Sequence, residues 1–305
     1  MSKRDFLSLS DLSLAEARDV FARSAKMKAA AKGSTRGLLT GRAVAVVLEK
    51  SSTRTRVSFE VGISHLGAHP VTITTEGSQI ARGEPIRDTA RVLSGYCDLI
   101  AFRTFSTRRL QEMASYATVP VINALSDDGH PVQVLCDVFT IEESFGTPIT
   151  GKRIAFVGDC SSNMARSWVE AAKLFDFHLT LAAPEGYFPP DHELTAARDH
   201  VSTYNDAREG VRGCDVVNTD VWASMGQEAE AEKRRQDFAG HWTVDARMLE
   251  TAKPEAIVLH CLPAHRGEEI DDVTMEGPQS RIFPQAENRL HVQKGLMCFL
   301  LGVSP

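Results

Sequence analysis

The sequence predicts an α/β protein with two doubly wound parallel-sheet domains. Short apolar or β-branched runs recur along the chain, and each is followed by turn residues and then by a helical pattern. Such alternation is typical of parallel strands joined by crossover helices. The length of 305 residues suits about two domains of ordinary size.

The predicted elements of the first half form one series. The capping box Ser13-x-x-Glu16 predicts the start of the first helix. Four strands are predicted, at residues 43–48, 70–74, 99–102 and 119–125. A helical pattern over residues 131–145 closes the series, and the turn residues from Gly146 onward mark a boundary.

The second half repeats the rhythm, with a helix at 165–175 and strands predicted at 153–157, 178–182, 215–221 and 256–262. Apolar residues at three- and four-residue spacings predict a final helix over about residues 286–305. The predicted domains are therefore 1–146 and 147–305. Because ligands bind beyond the carboxyl ends of parallel strands, we expect the active site at those ends, in the cleft between the two domains.

Composition argues against several classes of partner and location. Lys plus Arg is 34 and Asp plus Glu is 40, so the net charge of 34 − 40 = −6 gives no pull toward nucleic acid or an anionic membrane. Six scattered cysteines without a C-x-x-C pair indicate reduced thiols. The N-terminal residues lack the apolar core of an export signal, and no apolar run approaches the roughly 18 residues that span a bilayer. We expect a cytoplasmic protein.

The segment from Lys50 to Arg56 has the character of an anion site. It follows the strand predicted at 43–48 and opens a helical pattern. A helix N-terminus offers unpaired N–H groups and a partial positive charge, and the hydroxyl and guanidinium donors of this segment suit phosphate oxygens. Taken alone, the motif also fits a capped polar turn with exposed arginines.

Other polar residues follow the remaining predicted strands, and their repetition favours a site over isolated caps. Pro131 suits the first turn of a helix that would aim His130 and Gln133 toward the ligand. The other strand-end residues are Arg103, Asn163, Asp220 and the His260-Cys261-Leu262-Pro263 run. Among them, Arg103 and His130 are donors of the types that stabilise an oxygen with negative charge.

Five segments together resemble the ornithine branch of the aspartate/ornithine carbamoyltransferase family. They are SSTRTR, GSQIARGEPIRDTARVLS, HPVQ, DVWASMG and HCLPAHRGEEI. The resemblance runs essentially from end to end. It implies transfer of a carbamoyl group from carbamoyl phosphate to the δ-amine of L-ornithine, giving L-citrulline in arginine biosynthesis. It also implies that the final helix packs back on the first domain and that the chains assemble as trimers or multiples of them, with sites shared between subunits.

The resemblance also implies roles for individual residues. Ornithine is bound by Asn163, Asp220, Ser224 and Met225. Carbamoyl phosphate is bound by Ser52, Thr53, Arg54, Thr55, Gln79, Arg103, His130, Gln133, Cys261, Leu262 and Arg289, with Gln79 reaching a neighbouring subunit's site. Among these, Arg103, His130, Cys261 and Arg289 act in catalysis. No cofactor and no metal is implied.

Alternatives differ in how well the residues fit them. The turn after Gly158 lacks the second and third glycines of a dinucleotide site, which argues against an oxidoreductase. Cys261 with His260 and His265 fits no structural zinc spacing. Arg289 also fits an ordinary exposed helix charge. A carbamoyltransferase for putrescine or an N-acylated ornithine and a non-catalytic regulatory relative remain open alternatives.

Overall fold

Two parallel sheets, each with flanking helices, make up the chain. The computed structural model describes residues 3–31, 33–75, 78–223 and 228–305. The chain divides into a first unit, Met1–Leu135 with Glu287–Pro305, and a second unit, Cys136–Ala286. The domain boundary at residue 146 stays a prediction.

The first unit holds a four-stranded sheet in the order β2-β1-β3-β4. All its strand pairs are parallel, with Val44 opposite both Pro70 and Leu99. Its strands are β1 (Ala43–Leu48), β2 (His69–Thr74), β3 (Leu99–Arg103) and β4 (Val121–Leu125). The strands β1 and β3 are buried almost throughout, as expected for a parallel sheet covered on both faces.

Four of the α-helices lie entirely in the first unit, and two others enter both units. Ser13 and Glu16 form the predicted capping box at the start of the first helix. The four are α1 (Leu14–Ala29), α2 (Thr53–His65), α3 (Ile86–Tyr96) and α4 (Thr107–Tyr116). The two are α5 (Pro131–Phe145) and the final helix α12 (Ile282–Leu300), most of which belongs to the first unit.

The second unit holds a five-stranded parallel sheet in the order β7-β6-β5-β8-β9. Its strands are β5 (Arg153–Val157), β6 (His178–Ala182), β7 (Val201–Tyr204), β8 (Val216–Thr219) and β9 (Ile257–His260). Its helices are α6 (Asn163–Phe175), α7 (Asp191–Ala196), α8 (Ala207–Val211), α9 (Ala231–Asp237), α10 (Ala246–Leu249) and α11 (Asp272–Glu276). In its core, the ring of Phe238 packs against the rings of Trp222 and Trp242.

Each sheet has one point at which the strand order reverses. In the first sheet the reversal lies between β1 and β3, and in the second it lies between β5 and β8. Ligands of open α/β sheets bind beyond the carboxyl ends of the strands at such points. The chain leaves β1 into the 50–56 segment, β3 ends at Arg103, and β8 is followed by Asp220.

The structure confirms the predicted alternation and corrects some details. Strand β7, which contains Val201, was not predicted, because it is a short edge strand that is half exposed and lacks an apolar pattern. The strand predicted over 215–221 is shorter, and its last two residues belong to the loop after Thr219. The final helix begins before residue 286 and ends at Leu300. Within the described ranges, no helix is long and apolar enough to cross a bilayer.

Candidate active site

The N-terminus of α2 presents the predicted anion-binding residues. Ser52 is the N-cap residue, and its hydroxyl accepts a hydrogen bond from the Thr55 backbone N–H at 3.1 Å. Thr53 and Arg54 form the first turn. The first turn of a helix carries N–H groups without intrahelical partners and a partial positive charge. This end of α2 therefore suits an anion.

Two arginines converge on the side chain of Thr55, which is fully buried. Arg103, at the end of β3, donates from Nη1 to the Thr55 hydroxyl at 3.4 Å. Arg289, in α12, donates from Nη2 to the same oxygen at 2.9 Å. Both arginines lie in the first unit and each residue is only 4% exposed, so Arg289 is not the ordinary surface charge that its sequence also allowed.

His130 lies beside the same two arginines. Burial lowers the pKa of its imidazole well below the usual value, and the charges of Arg289 and Arg103 lower the pKa further. The ring is therefore neutral at pH 7, and one of its nitrogens carries a proton that it can donate. A neutral imidazole suits a hydrogen bond to a carbonyl oxygen, while the arginines suit the more strongly charged phosphate.

The remaining predicted residues of the first unit differ in position. Gln133 lies in the first turn of α5 and is buried, and its backbone N–H donates to the carbonyl of His130. The Arg54 Nε is buried and has no hydrogen-bond partner among the described residues, which suits a ligand oxygen. Gln79 lines a cavity of about 300 Å³ with Ile73, Glu84 and other side chains, none of which is another of the predicted anion-binding residues.

In the second unit, Asp220 and Cys261 meet at the ends of neighbouring strands. The Cys261 thiol donates to Asp220 Oδ1 at 3.1 Å, and the Val221 backbone N–H donates to the same oxygen at 2.8 Å. Burial raises the pKa of the Asp220 carboxyl, because an uncompensated anion is costly away from water. An ammonium group beside this carboxylate would offset that cost.

His260 determines the shape of the loop that carries Cys261 and Leu262. Its Nδ1 accepts the Leu262 backbone N–H at 2.9 Å, which leaves Nε2 as the nitrogen that carries the proton and donates to Glu269 at 2.9 Å. Leu262 has a positive φ of 59°. Both His260 nitrogens are therefore engaged, and His260 is not free to bind a metal beside Asp220 and Cys261.

Arg234 connects two strand ends of the second unit. Its Nη1 lies 2.6 Å from Asp159 Oδ2, just after β5, and 3.0 Å from the Trp222 carbonyl, just after Asp220. The Asp159 and Arg234 side chains are 2% and 8% exposed. This buried ion pair holds together the turns that precede Asn163, the first residue of α6, and follow Asp220. The predicted Ser224 and Met225 lie outside the described residues.

Comparisons with known proteins show the family to which this chain belongs. The profile of the carbamoyl-P binding domain of aspartate/ornithine carbamoyltransferase matches residues 4–143, and that of the Asp/Orn binding domain matches residues 150–300. An ornithine carbamoyltransferase of Sorangium cellulosum is 67% identical over 99% of both chains.

Solved structures are similar over equally long stretches. The ornithine carbamoyltransferase from Pyrococcus furiosus has a TM-score of 0.93 and 42% identity, and covers 99% of this chain and 98% of its own. That of Burkholderia thailandensis has a TM-score of 0.89 and 43% identity over 98% of each chain. The chain belongs to the aspartate/ornithine carbamoyltransferase family.

Ser52 to Thr55, Arg103 and His130 lie within the stretch matched by the carbamoyl-P binding domain, residues 4–143, whereas Arg289 lies within the stretch matched by the Asp/Orn binding domain, residues 150–300. The sequence motifs did not single out three side chains that support the sites. Glu269 accepts a hydrogen bond from Nε2 of His260, and the side-chain oxygen of Gln285 accepts a hydrogen bond from the His260 backbone N–H at 2.9 Å. Glu49 lies beside the anion site. Glu269 stands inside the HCLPAHRGEEI segment, but nothing in the spacing indicated which of its acidic residues would meet His260.

Proposed function

We propose that this chain is an enzyme that transfers the carbamoyl group of carbamoyl phosphate to the δ-amine of L-ornithine. The products are L-citrulline and phosphate. The observation that carries the proposal is the convergence of Arg103 and Arg289 on the Thr55 hydroxyl at the N-terminus of α2. Relatives named ornithine carbamoyltransferase that are similar over the full length support the choice of amine.

Carbamoyl phosphate is a dianion with a planar carbonyl group, and the first unit offers a donor for each part. The α2 N-terminus with Ser52, Thr53, Arg54 and Thr55 binds the phosphoryl oxygens. Arg103, Arg289, His130 and Gln133 complete the pocket. The neutral His130 ring donates to the carbonyl oxygen, and this bond strengthens as the oxygen gains charge.

The reaction needs no covalent enzyme intermediate. The δ-nitrogen of ornithine attacks the carbamoyl carbon with its lone pair, and a tetrahedral species forms. The new bond between the carbamoyl carbon and the δ-nitrogen remains, and the bond from that carbon to the phosphate oxygen breaks, so that phosphate leaves. The δ-nitrogen loses a proton to solvent. Each charge-assisted hydrogen bond to the phosphate is worth about 1.5–3 kcal/mol, so several of them hold the dianion without a metal.

The second unit supplies the groups for ornithine in this proposal. The Asp220 carboxylate, whose pKa is raised by burial, binds the α-ammonium group. Asn163, Ser224 and Met225 orient the remaining polar atoms of the amino acid. Cys261 and Leu262 lie beside the δ-amine and the carbamoyl group, where weakly polar surroundings disfavour the charged amine.

We further propose a homotrimer whose subunits share their sites. Gln79 lies on the surface, apart from the anion-binding residues, so it is available to the site of a neighbouring chain. Large apolar side chains are exposed on α2, α3 and α4 of the first unit, namely Val57, Val61, Val92, Tyr96 and Tyr116. Exposed apolar side chains of this kind suit burial between subunits. We assign the enzyme to arginine biosynthesis in the cytoplasm, where the Cys261 thiol would stay reduced.

A product assay with four amines tests the proposed activity. Purified protein with carbamoyl phosphate is expected to release citrulline and phosphate with L-ornithine, and little or no carbamoylated product with aspartate, putrescine or N-acetylornithine. An enzyme that prefers putrescine or N-acetylornithine would contradict the choice of substrate. A protein that transfers to none of them would support a non-catalytic relative.

The Arg54→Ala variant tests the anion site within the same assay. The KM for carbamoyl phosphate is expected to rise about 100-fold, because two charge-assisted bonds are lost. Arg56→Ala is the matched control, since Arg56 on the same helix is 53% exposed and pairs with Glu60. Equal KM values for the two variants would contradict the assignment.

A further inference from the structure

Glu49 has a buried carboxylate next to a site that binds an anion. It directly follows β1, three positions before Ser52, and its side chain is only 6% exposed. The carboxylate accepts hydrogen bonds from the Thr104 hydroxyl and, in a two-pronged contact, from Arg109. A carboxylate in such a place calls for a reason, because its charge opposes a dianion bound nearby.

The backbone of Glu49 joins the ends of three strands. Its N–H donates to the carbonyl of Arg103, at the end of β3, at 2.8 Å. Its carbonyl accepts the hydroxyl of Thr75, just after β2, at 3.1 Å. The side chain adds Thr104, the residue after Arg103, and Arg109 in α4. Glu49 is therefore bonded on both sides of the point at which the strand order reverses.

We propose that Glu49 is a positioning residue for the carbamoyl phosphate site. Together with Thr104 and Arg109 it forms the Glu49 cluster, which holds the turn that carries Ser52 to Thr55 against the turn that carries Arg103. Because Arg109 balances the charge of the carboxylate, the Glu49 cluster holds the donors in position and repels the bound anion only weakly. The inference rests on the proposed function, because it assumes that these donors converge on one dianion.

The alternative to positioning predicts an effect of opposite sign. If Glu49 acted on the ligand only by its charge, Glu49→Gln would remove a repulsion and tighten anion binding. If Glu49 holds the donors in place, the same change weakens anion binding, because neutral Gln loses the charge-assisted contacts to Arg109 and Thr104. Small displacements of binding groups have large effects on affinity and rate.

The experiment measures binding of carbamoyl phosphate and of inorganic phosphate by calorimetry, with no amine present. Glu49→Gln is expected to weaken both by roughly tenfold. Thr104→Val and Arg109→Met are expected to weaken binding less, and Arg109→Lys is expected to recover part of the loss seen with Arg109→Met. In the double variant of Glu49→Gln with Arg109→Met, the loss should not exceed that of Glu49→Gln alone, because both remove the same contact.

Asp127→Asn is the matched control. Asp127, in the turn after β4, pairs with Lys50 at 2.6 Å, but its side chain is 54% exposed, and its removal is expected to leave both affinities within about twofold. In turnover assays, Glu49→Gln should raise the KM for carbamoyl phosphate while the KM for ornithine stays unchanged. A structural role alone would lower the melting temperature and alter both KM values together.

The outcomes separate this inference from the proposed function. Wild-type protein that binds neither carbamoyl phosphate nor phosphate would overturn the proposed function. Wild-type protein that binds both, with Glu49→Gln that binds them equally well or more tightly, would overturn the positioning role alone. If Glu49→Gln does not fold, unchanged binding in both Thr104→Val and Arg109→Met would overturn it.

Discussion

At the scale of single residues, the buried imidazole of His130 makes the stability of the protein depend on pH. Its ring is buried between cationic groups, which lowers its pKa, and the native protein therefore holds it neutral. In the unfolded chain the ring titrates near its ordinary pKa of about 6.5. Below that pH the unfolded state takes up a proton that the native state does not, so acid favours unfolding.

The first prediction concerns this linkage. The free energy of unfolding should fall as the pH drops from 6.5 toward 5, with His130 contributing at most about 1.4 kcal/mol per pH unit. His178 and His291, whose pKa values burial also lowers, add to the slope. His130→Gln should make the slope shallower in urea titrations at several pH values.

The control for this prediction is His192→Gln. The His192 side chain is 81% exposed, so solvent surrounds it in the native and the unfolded state alike. Its replacement should leave the slope unchanged. A His130→Gln slope equal to that of the wild type would show that the ring takes up the same proton in the native and the unfolded state, so that folding does not lower its pKa.

At the scale of elements, glycines determine how closely the final helix approaches its neighbours. A Cβ on Gly295 in α12 would lie 2.2 Å from Ser24 Oγ and 2.8 Å from the Val20 carbonyl in α1. A Cβ on Gly62 in α2 would meet Leu290 of α12 at 3.4 Å, an ordinary contact. The packing of α12 on the first unit brings Arg289 to Thr55.

The second prediction compares two glycines of opposite character. Gly295→Ala should destabilise the protein by about 1–3 kcal/mol, because α1 and α12 must move apart. Gly95→Ala should stabilise it by about 0.4–1 kcal/mol, because Gly95 lies exposed near the end of α3 with open space for a Cβ. Chemical denaturation measures both.

A rescue variant identifies the cause of the first effect. Ser24→Ala removes the oxygen nearest to the new Cβ, so Gly295→Ala should cost less in that background. A Gly295→Ala variant as stable as the wild type would contradict the close approach of α1 and α12. The effect on carbamoyl phosphate binding should follow the destabilisation, since Arg289 is carried by the same helix.

The sequence motifs predicted the helices and strands that carry the site residues better than they predicted which side chains contact one another. The segment from Lys50 to Arg56 was predicted to open a helix, and the structure makes Ser52 its N-cap through a hydrogen bond that spans three residues. Arg103 was recognisable because it ends an apolar run. The contact of Arg103 with the Thr55 hydroxyl, three positions after Ser52, depends on the parallel register of β1 and β3, which a local pattern does not contain.

At the scale of the whole molecule, the distribution of exposed apolar side chains differs between elements. In the first unit Val92 and Tyr96 of α3 are 50% and 75% exposed, and α2 adds Val57 and Val61. In the second unit Val273 of α11 is 73% exposed. The second unit also exposes Phe283 at the start of α12 and Tyr204 of β7, whereas the first unit exposes such side chains on α2, α3 and α4, as a subunit interface would require.

The third prediction follows from this difference. Sedimentation should give three times the mass of the chain for the wild-type protein. Val92→Asp combined with Tyr96→Asp should reduce that mass and the activity together, because a charge in an apolar interface is costly and Gln79 would lose its neighbouring site. Val273→Asp is the matched control and should leave the mass unchanged; a wild-type monomer would overturn the trimer.

The sequence by itself determined the alternation of strands and helices, the donors offered at the strand ends, the helix start at Ser13 and the opening of a helix by the segment from Lys50 to Arg56. Those features depend on periodicity and on hydrogen bonds between residues a few positions apart. The tertiary structure decided which donors meet. Arg289 reaches Thr55 across 234 positions of the chain, and Glu49 finds Arg109 across 60. Such contacts arise from the packing of whole elements, which no short stretch of sequence encodes.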